Sequence, residues 1–385
     1  MRQHIIALVD CDCFYVSCER KDNLDLQGKP VCTVTTTSNK GIVLSRSKEA
    51  KALGIKMGAP MFQIKDLYPN CHYIPARYQR YAEISKEVMD TIKTFSPDVE
   101  VTSVDESYID LTSLNKVYQC TYTDIIKRIK QAVLDKVGIP VSIGLSCSKT
   151  LAKLASDKAK SNNGIFVIRP DSILDVIGDI SIDDVCGIGR KNSEHLKYNG
   201  IFTIKDFVTR DNAWIRKALG INGLNLKSEL TGIATSLVNS EQTAPQSIQD
   251  TRSFEDFTQS LEYLEHELNS HIHNACQKLR KWNGYCQCVE VILRTKDFKY
   301  YATEVKLPNP TNGDQEVRIA AVKLLKLLYK PNLLYRSTGI TLKNLTYNQI
   351  QQSLFEEIKP HDDKLSRIVD ELEAKFGRGI VKAGM

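Results

Sequence analysis

The sequence predicts an α+β protein of several domains, with an antiparallel sheet of ferredoxin-like type at its N-terminal end. Three observations carry this. Short runs rich in β-branched residues alternate with helical patterns in the order βα…αββαβα over roughly the first 170 residues. A helical stretch follows, and a polar, aperiodic segment at 238–250 then separates a further alternation of strand and helix patterns. The 385 residues also exceed what one hydrophobic core organises.

The first strand is the apolar run Ile5–Val9, closed by Asp10. It is too short for a secretory or membrane-spanning segment, and 42% hydrophobic with 25% charged residues describes an ordinary soluble chain, expected in the cytoplasm. After Cys11 the chain turns into a helix through Phe14, Tyr15 and Glu19. Strand alternation puts Asp10 and Asp12 on one side, so both are candidate ligands, although an Asp just before a helix is more often its N-cap. Two strands, Val31–Thr37 and Gly41–Arg46, then lead into a helix Lys48–Leu53 that Gly54 stops. Singly, Arg46, Lys48 and Lys51 read as a solvated face; together, near a helix N-terminus, they suit a triphosphate.

The helix from Tyr81 to Phe95 carries Tyr81, Ile84, Val88 and Ile92 at core spacing. Next comes a hairpin, Val99–Leu111, with Asp105 and Glu106 at its tip. A turn is usually polar, so the plain reading is a solvated bend. With Asp10 at another strand end, however, the acids could hold one or two divalent metals, as phosphoryl-transfer chemistry requires. A basic amphipathic helix (121–137), a buried strand Pro140–Leu145, a four-lysine helix Ser148–Lys160 and a strand Ile165–Ile168 complete this region.

Beyond it, Val185 to Phe207 reads as helix, Gly-x-Gly hairpin, helix. Gly187 and Gly189 would let backbone amides approach a phosphate, with Arg190 and Lys191 beside them. Residues 251–346 contain 14 Lys and Arg against 10 Asp and Glu, most of the chain's net charge of +6. There Arg294, Lys296 and Lys299, with Tyr300 and Tyr301, suit a phosphate track. In the polar tail, Gln351–Phe355 is either a core patch or a docking peptide. The eleven cysteines include no Cys-x-x-Cys pair and read as thiols in a reducing compartment. His271 and His273, two apart on a helix near Cys276, do not face each other and argue against zinc.

Taken in order, Val9–Glu19, Glu49–Gly58, Ser103–Tyr108, Ser148–Lys153, Asp184–Arg190, Arg252–Phe254 and Gly377–Gly379 resemble the motifs of the Y-family, translesion DNA polymerases, specifically the UmuC-type branch. The resemblance implies a right-hand polymerase with a ferredoxin-like palm (1–22 and 80–170), small fingers (23–79), a helix-hairpin-helix thumb (171–237), a linker (238–250), an α/β little finger (251–346) and a tail (347–385). It implies Asp10, Asp105 and Glu106 as catalytic carboxylates for two Mg2+ ions, with the backbone carbonyl of Cys11 as a further ligand. Tyr15 falls at the steric gate that excludes a ribose 2′-OH, with Phe14 beside it. Lys160 matches the lysine that contacts the incoming triphosphate, and Ser45, Arg46 and Lys51 the nucleotide contacts of the fingers. Lys48 and Lys51 stand where DinB-type relatives carry Tyr and Arg, and lysine supplies charge without a bidentate fork.

The resemblance makes Gln351, Leu354 and Phe355 a sliding-clamp peptide. It names primer-template DNA, deoxynucleoside triphosphates, a UmuD-like accessory subunit and RecA as partners in the SOS response to DNA damage. Low fidelity is expected from the family, and no segment reads as a proofreading exonuclease. UmuC-type proteins continue past the point where this chain stops, so contacts made by that tail are expected to be missing. Two rivals are a non-catalytic DNA- or clamp-binding scaffold and a palm-fold nucleotidyl cyclase. The full carboxylate set speaks against the first; the hairpin thumb and basic C-terminal domain speak against the second.

Overall fold

Apolar on both faces, the first strand, β1 (Ile6–Cys11), belongs in the middle of a sheet, and the computed structural model places it there. The structure describes residues 4–347 and 364–377 and divides into two units between Gln242 and Thr243. In the first, β1 runs into α1 (Phe14–Asp22), and a small unit is then inserted. It holds β2 (Val31–Val34), β3 (Val43–Arg46), α2 (Lys48–Ala52), α3 (Met61–Ile64) and β4 (His72–Pro75), in a sheet of order β3-β2-β4. Ser47 caps α2 by accepting from the Ala50 amide. Strand β4 was not expected; Pro75 at its end and its exposed residues disguise it.

The chain returns through α4 (Tyr78–Lys93), β5 (Val99–Val101), β6 (Glu106–Asp110), α5 (Leu114–Val117), α6 (Tyr122–Val137), β7 (Val141–Ser146), α7 (Lys149–Ala159) and β8 (Ile165–Val167). The sheet order is β5-β6-β1-β7-β8. β1 is antiparallel to β6 and β7, and β7 is parallel to β8. The period-2 alternation of β1 assigns its two faces. Ala7, Val9 and Cys11 pack with residues of α4 and α6, whereas Ile6 and Leu8 pack with Ala152 of α7. Gly144 makes that second face possible. A Cβ there would lie 2.0 Å from the Ser156 nitrogen and 2.3 Å from the Ala152 oxygen, so only glycine lets α7 lie this close to β7.

Four helices follow: α8 (Ile173–Ile177), α9 (Arg190–Tyr198), α10 (Ile204–Thr209) and α11 (Asn212–Leu230). The expected helix before the Gly-x-Gly is only a 3-10 turn at Ile182–Asp184. The expected continuous helix to Phe207 is interrupted at Gly200, whose φ is +77°. The second unit comprises β9 (Ile248–Thr258), α12 (Leu261–Lys281), β10 (Gly284–Thr295), β11 (Tyr300–Thr311), α13 (Asp314–Leu328), β12 (Tyr335–Tyr347) and α14 (Lys364–Phe376), with an antiparallel sheet of order β11-β10-β12-β9. The expected linker is thus shorter than 238–250. Val238 packs with Ile6 and Leu8, and the last three residues already belong to β9. Among the described residues no helix is long and apolar enough to cross a membrane.

Candidate active site

Asp10 shares its face of β1 with Ile6 and Leu8, the face covered by α7. On β6 the same alternation puts Glu106 beside Tyr108 on that face. The register sets Asp10 directly opposite Glu106, and the Cys11 amide donates to the Asp105 carbonyl at 2.8 Å. Three carboxylates from two distant stretches of sequence therefore gather at one end of the sheet. Local bonds hold them: Thr102 Oγ1 donates to Glu106 at 2.9 Å, and Ser103 Oγ to Asp105 at 2.5 Å. Burial, then the nearby Asp105 and Asp10, push the Cys11 thiol well above its usual range, so this side chain stays neutral beside the acids.

Asp12 takes another part. Cys13, at φ 49°, occupies the N-cap of α1 without a side-chain cap, and the Asp12 carboxylate instead accepts from Ser142 Oγ on β7 at 2.8 Å. The expected cap is therefore corrected to a tie between the start of α1 and the sheet.

The sequence reading did not single out Lys153. Lysines 149, 153 and 160 are four and seven apart, so they share one face of the α7 region. Lys149 reaches Glu100 at 2.6 Å. Lys153 donates to Asp10 at 3.0 Å and also bonds Glu106, and Lys160 reaches Asp10 at 3.2 Å and Asp157 at 3.0 Å. Partial burial works against the charge on Lys153 and Lys160, but the carboxylates outweigh it and hold both above the usual lysine range. The acids thus already carry ammonium counter-ions, which also suit the region to the negative charge of a phosphate.

Comparison with known proteins decides what this arrangement belongs to. Residues 9–157 match the impB/mucB/samB family, and residues 245–354 match its C-terminal domain. The chain is 31% identical to Protein ImpB of Salmonella typhimurium, over 98% of this chain and 92% of the relative. It is equally similar to Protein UmuC of the same species, over 97% and 92%. DNA polymerase IV of Bacillus velezensis is 29% identical over 99% and 92%. Among solved structures, a Y-family DNA polymerase chimera of Dbh and Dpo4 superimposes with a TM-score of 0.78 at 25% identity, covering 89% of this chain and all of the chimera. The chain belongs to the Y-family DNA polymerases, in the UmuC-type branch. It is a DNA-directed DNA polymerase, with a palm-like sheet and a separate C-terminal sheet domain.

Elsewhere in the polymerase, Phe14 is buried in the core, and the half-buried Tyr15 stacks on Tyr81. Lys51 donates to Cys13 Sγ at 3.2 Å, which brings the inserted unit to the start of α1. Arg46 donates to the Ile55 carbonyl at 2.6 Å, and its buried Nε has no hydrogen-bond partner among the described residues. Ser45 is buried on β3. Gly189 forms the N-cap of α9, Gly187 has a φ of +95°, and Arg190 and Lys191 are exposed.

In the second unit Arg294 and Arg336 flank the Phe298 ring at 4.7 and 4.0 Å. Arg294 also lies over Tyr300, and Lys296 over Phe257. The residues expected to form a phosphate track thus make a cation–aromatic stack around the turn joining β10 and β11. Tyr301 departs from it: it packs toward the core, under Lys330. His271 pairs with Asp250, whereas His273 pairs with Asp314 and Glu373. Gln351, Leu354 and Phe355 lie outside the described residues.

Proposed function

We propose that this polymerase adds deoxynucleotides to a primer 3′-hydroxyl on intact and damaged template, by phosphoryl transfer assisted by two Mg2+ ions and with low fidelity. The pairing of Asp10 with Glu106 next to Asp105, under the ammonium groups of Lys153 and Lys160, carries this reading. Carboxylate and carbonyl oxygens suit a hard cation. Among the described residues no three acid, His or Cys side chains form a ready ligand set; Mg2+ commonly takes one or two carboxylates and completes its shell with water and substrate phosphates. Asp10, Asp105, Glu106 and the Cys11 carbonyl would hold the ions, which would supply a lowered pKa for the attacking hydroxyl and positive charge against the leaving pyrophosphate.

The chain's own residues do the rest by positioning and electrostatics. Lys160 neutralises the triphosphate, with Ser45, Arg46 and Lys51 on the inserted unit as its further contacts. Tyr15 closes the space a 2′-hydroxyl would need. Gly187, Gly189, Arg190 and Lys191 take duplex phosphates, and in the second unit Arg294 and Lys296 do so as well. One structural neighbour, a Dbh DNA polymerase, was solved as an insertion ternary complex and supports DNA as the partner. A sliding clamp at Gln351, Leu354 and Phe355, a UmuD-like subunit and RecA complete the proposed partners, in the cytoplasm.

Primer extension with Mg2+ on intact and lesion-bearing template tests the reading. The native chain is expected to extend both, whereas Asp105→Ala and Glu106→Ala lose roughly a thousandfold or more in rate and still bind DNA. Wild-type extension by either variant would remove the metal assignment. A native chain that binds primer-template without extending it would be a scaffold.

A further inference from the structure

We infer that Tyr81 and Glu19 set the sugar selectivity of this polymerase by holding Tyr15 in place, an inference that rests on the gate role proposed for Tyr15. A gate that rejects one extra oxygen atom must not yield, and a half-buried tyrosine at the start of a helix has rotamers to escape into. Here the Tyr15 ring lies face to face on Tyr81, with centroids 4.5 Å apart and planes 17° from parallel. Tyr78 meets the same ring edge-on at 6.2 Å. Tyr81, on α4, is 1% exposed and fixed by more than packing. Its hydroxyl donates to Glu19 Oε1 at 2.6 Å, and Glu19 is 5% exposed.

Arg77 grips Glu19 with two hydrogen bonds, at 3.0 and 2.7 Å, and Asp22 ties Arg77 and Arg80 together. Turning the Tyr81 ring would leave a buried carboxylate short of a donor, which is costly. The wall behind Tyr15 is therefore pinned by a charge-assisted bond within the protein. Nothing in the chemistry of nucleotide addition requires that pin, so it is free to serve discrimination.

The test is the ratio of kcat/KM for a deoxynucleotide over the matching ribonucleotide, measured on one preparation so that any loss of folded enzyme cancels. Tyr81→Leu is expected to lower the ratio at least tenfold, and Tyr81→Phe, which keeps the stacked ring but loses the bond to Glu19, to lower it about threefold. Glu19→Gln, which leaves both rings in place and weakens only the anchor, is expected to lower it about threefold and covers the case in which Tyr81→Leu does not fold. In the Tyr15→Ala background, Tyr81→Leu should change nothing further. Native selectivity in both Tyr81→Leu and Glu19→Gln, with selectivity lost in Tyr15→Ala, overturns the inference and leaves the gate standing. Native selectivity in Tyr15→Ala refutes the gate itself.

Discussion

Replacing Lys153 by Met removes an ammonium group but keeps an unbranched stem. That ammonium donates to Asp10 at 3.0 Å and also bonds Glu106, so a cation entering between the two carboxylates meets a positive charge already seated there. Unit charges about 4 Å apart interact by about 1 kcal/mol in water and about 4 kcal/mol at an effective dielectric near 20, and a divalent ion doubles both figures. Lys153 keeps 22% of its side chain exposed, which leaves water to screen its charge. The water-screened value therefore applies, about 2 kcal/mol or roughly 30-fold in affinity. Lys153→Met is expected to bind Mn2+ roughly 10- to 30-fold more tightly than the native chain, read from the free-ion EPR signal without DNA or nucleotide. Asp10→Asn, with the lysine intact, should bind more weakly. Equal or weaker binding by a folded Lys153→Met protein would sink the argument, because a resident counter-ion cannot be removed without easing entry of the next cation.

Gly144→Ala is expected to cost about 3 kcal/mol in urea unfolding, because the new methyl meets backbone atoms of α7 that have nowhere to go; primer extension should fall with it, since α7 aims the lysines. The anchoring of α14 should depend on pH. Asp314, and with it Glu373, raises His273 to about 9 despite partial burial, against an ordinary 6.5. A group raised in the folded state stabilises fully below its unfolded value, so the contribution is whole below about pH 6.5 and fades as pH climbs through 9. On the order of 2 kcal/mol is expected to go, after discounting for the partly exposed ring. Hydrogen exchange of the α14 amides at pH 6 and pH 9.5 reads this directly, and equal protection at both would refute it. Arg280→Met should loosen α14 at every pH, because Arg280 is nearly buried and bonds Asp370 at 2.6 and 2.9 Å.

What the sequence shows well is periodicity close to home. Alternation along Ile5–Asp10 and the apolar runs beside Asp105 and Glu106 place acids at strand ends. What it conceals is which strand end meets which. Asp12 has the composition of a cap, yet its partner is Ser142, 130 residues away, and only the pairing of β1 with β7 brings the two together. Lys153 was legible as one lysine among four on a helix. Nothing local says that this face of the helix lies over Asp10 and Glu106.

Tyr81 poses the same problem in another form. Its spacing with Ile84 and Val88 reads correctly as core, because the residue is core. The second task proposed for it appears only in the folded chain, where α1 comes to lie along α4 across the inserted unit. The site is thus assembled from residues whose local signals are ordinary: a strand-end acid, a surface lysine, a core tyrosine. Their chemistry depends on register. A shift of one residue in β1 would turn Asp10 to the face occupied by Val9 and Cys11, away from Lys153, and would lose the pairing with Glu106 at once. The buried alternation that stabilises the sheet is therefore also what fixes the geometry of the proposed site, and a substitution that let β1 slip is expected to cost stability and activity together.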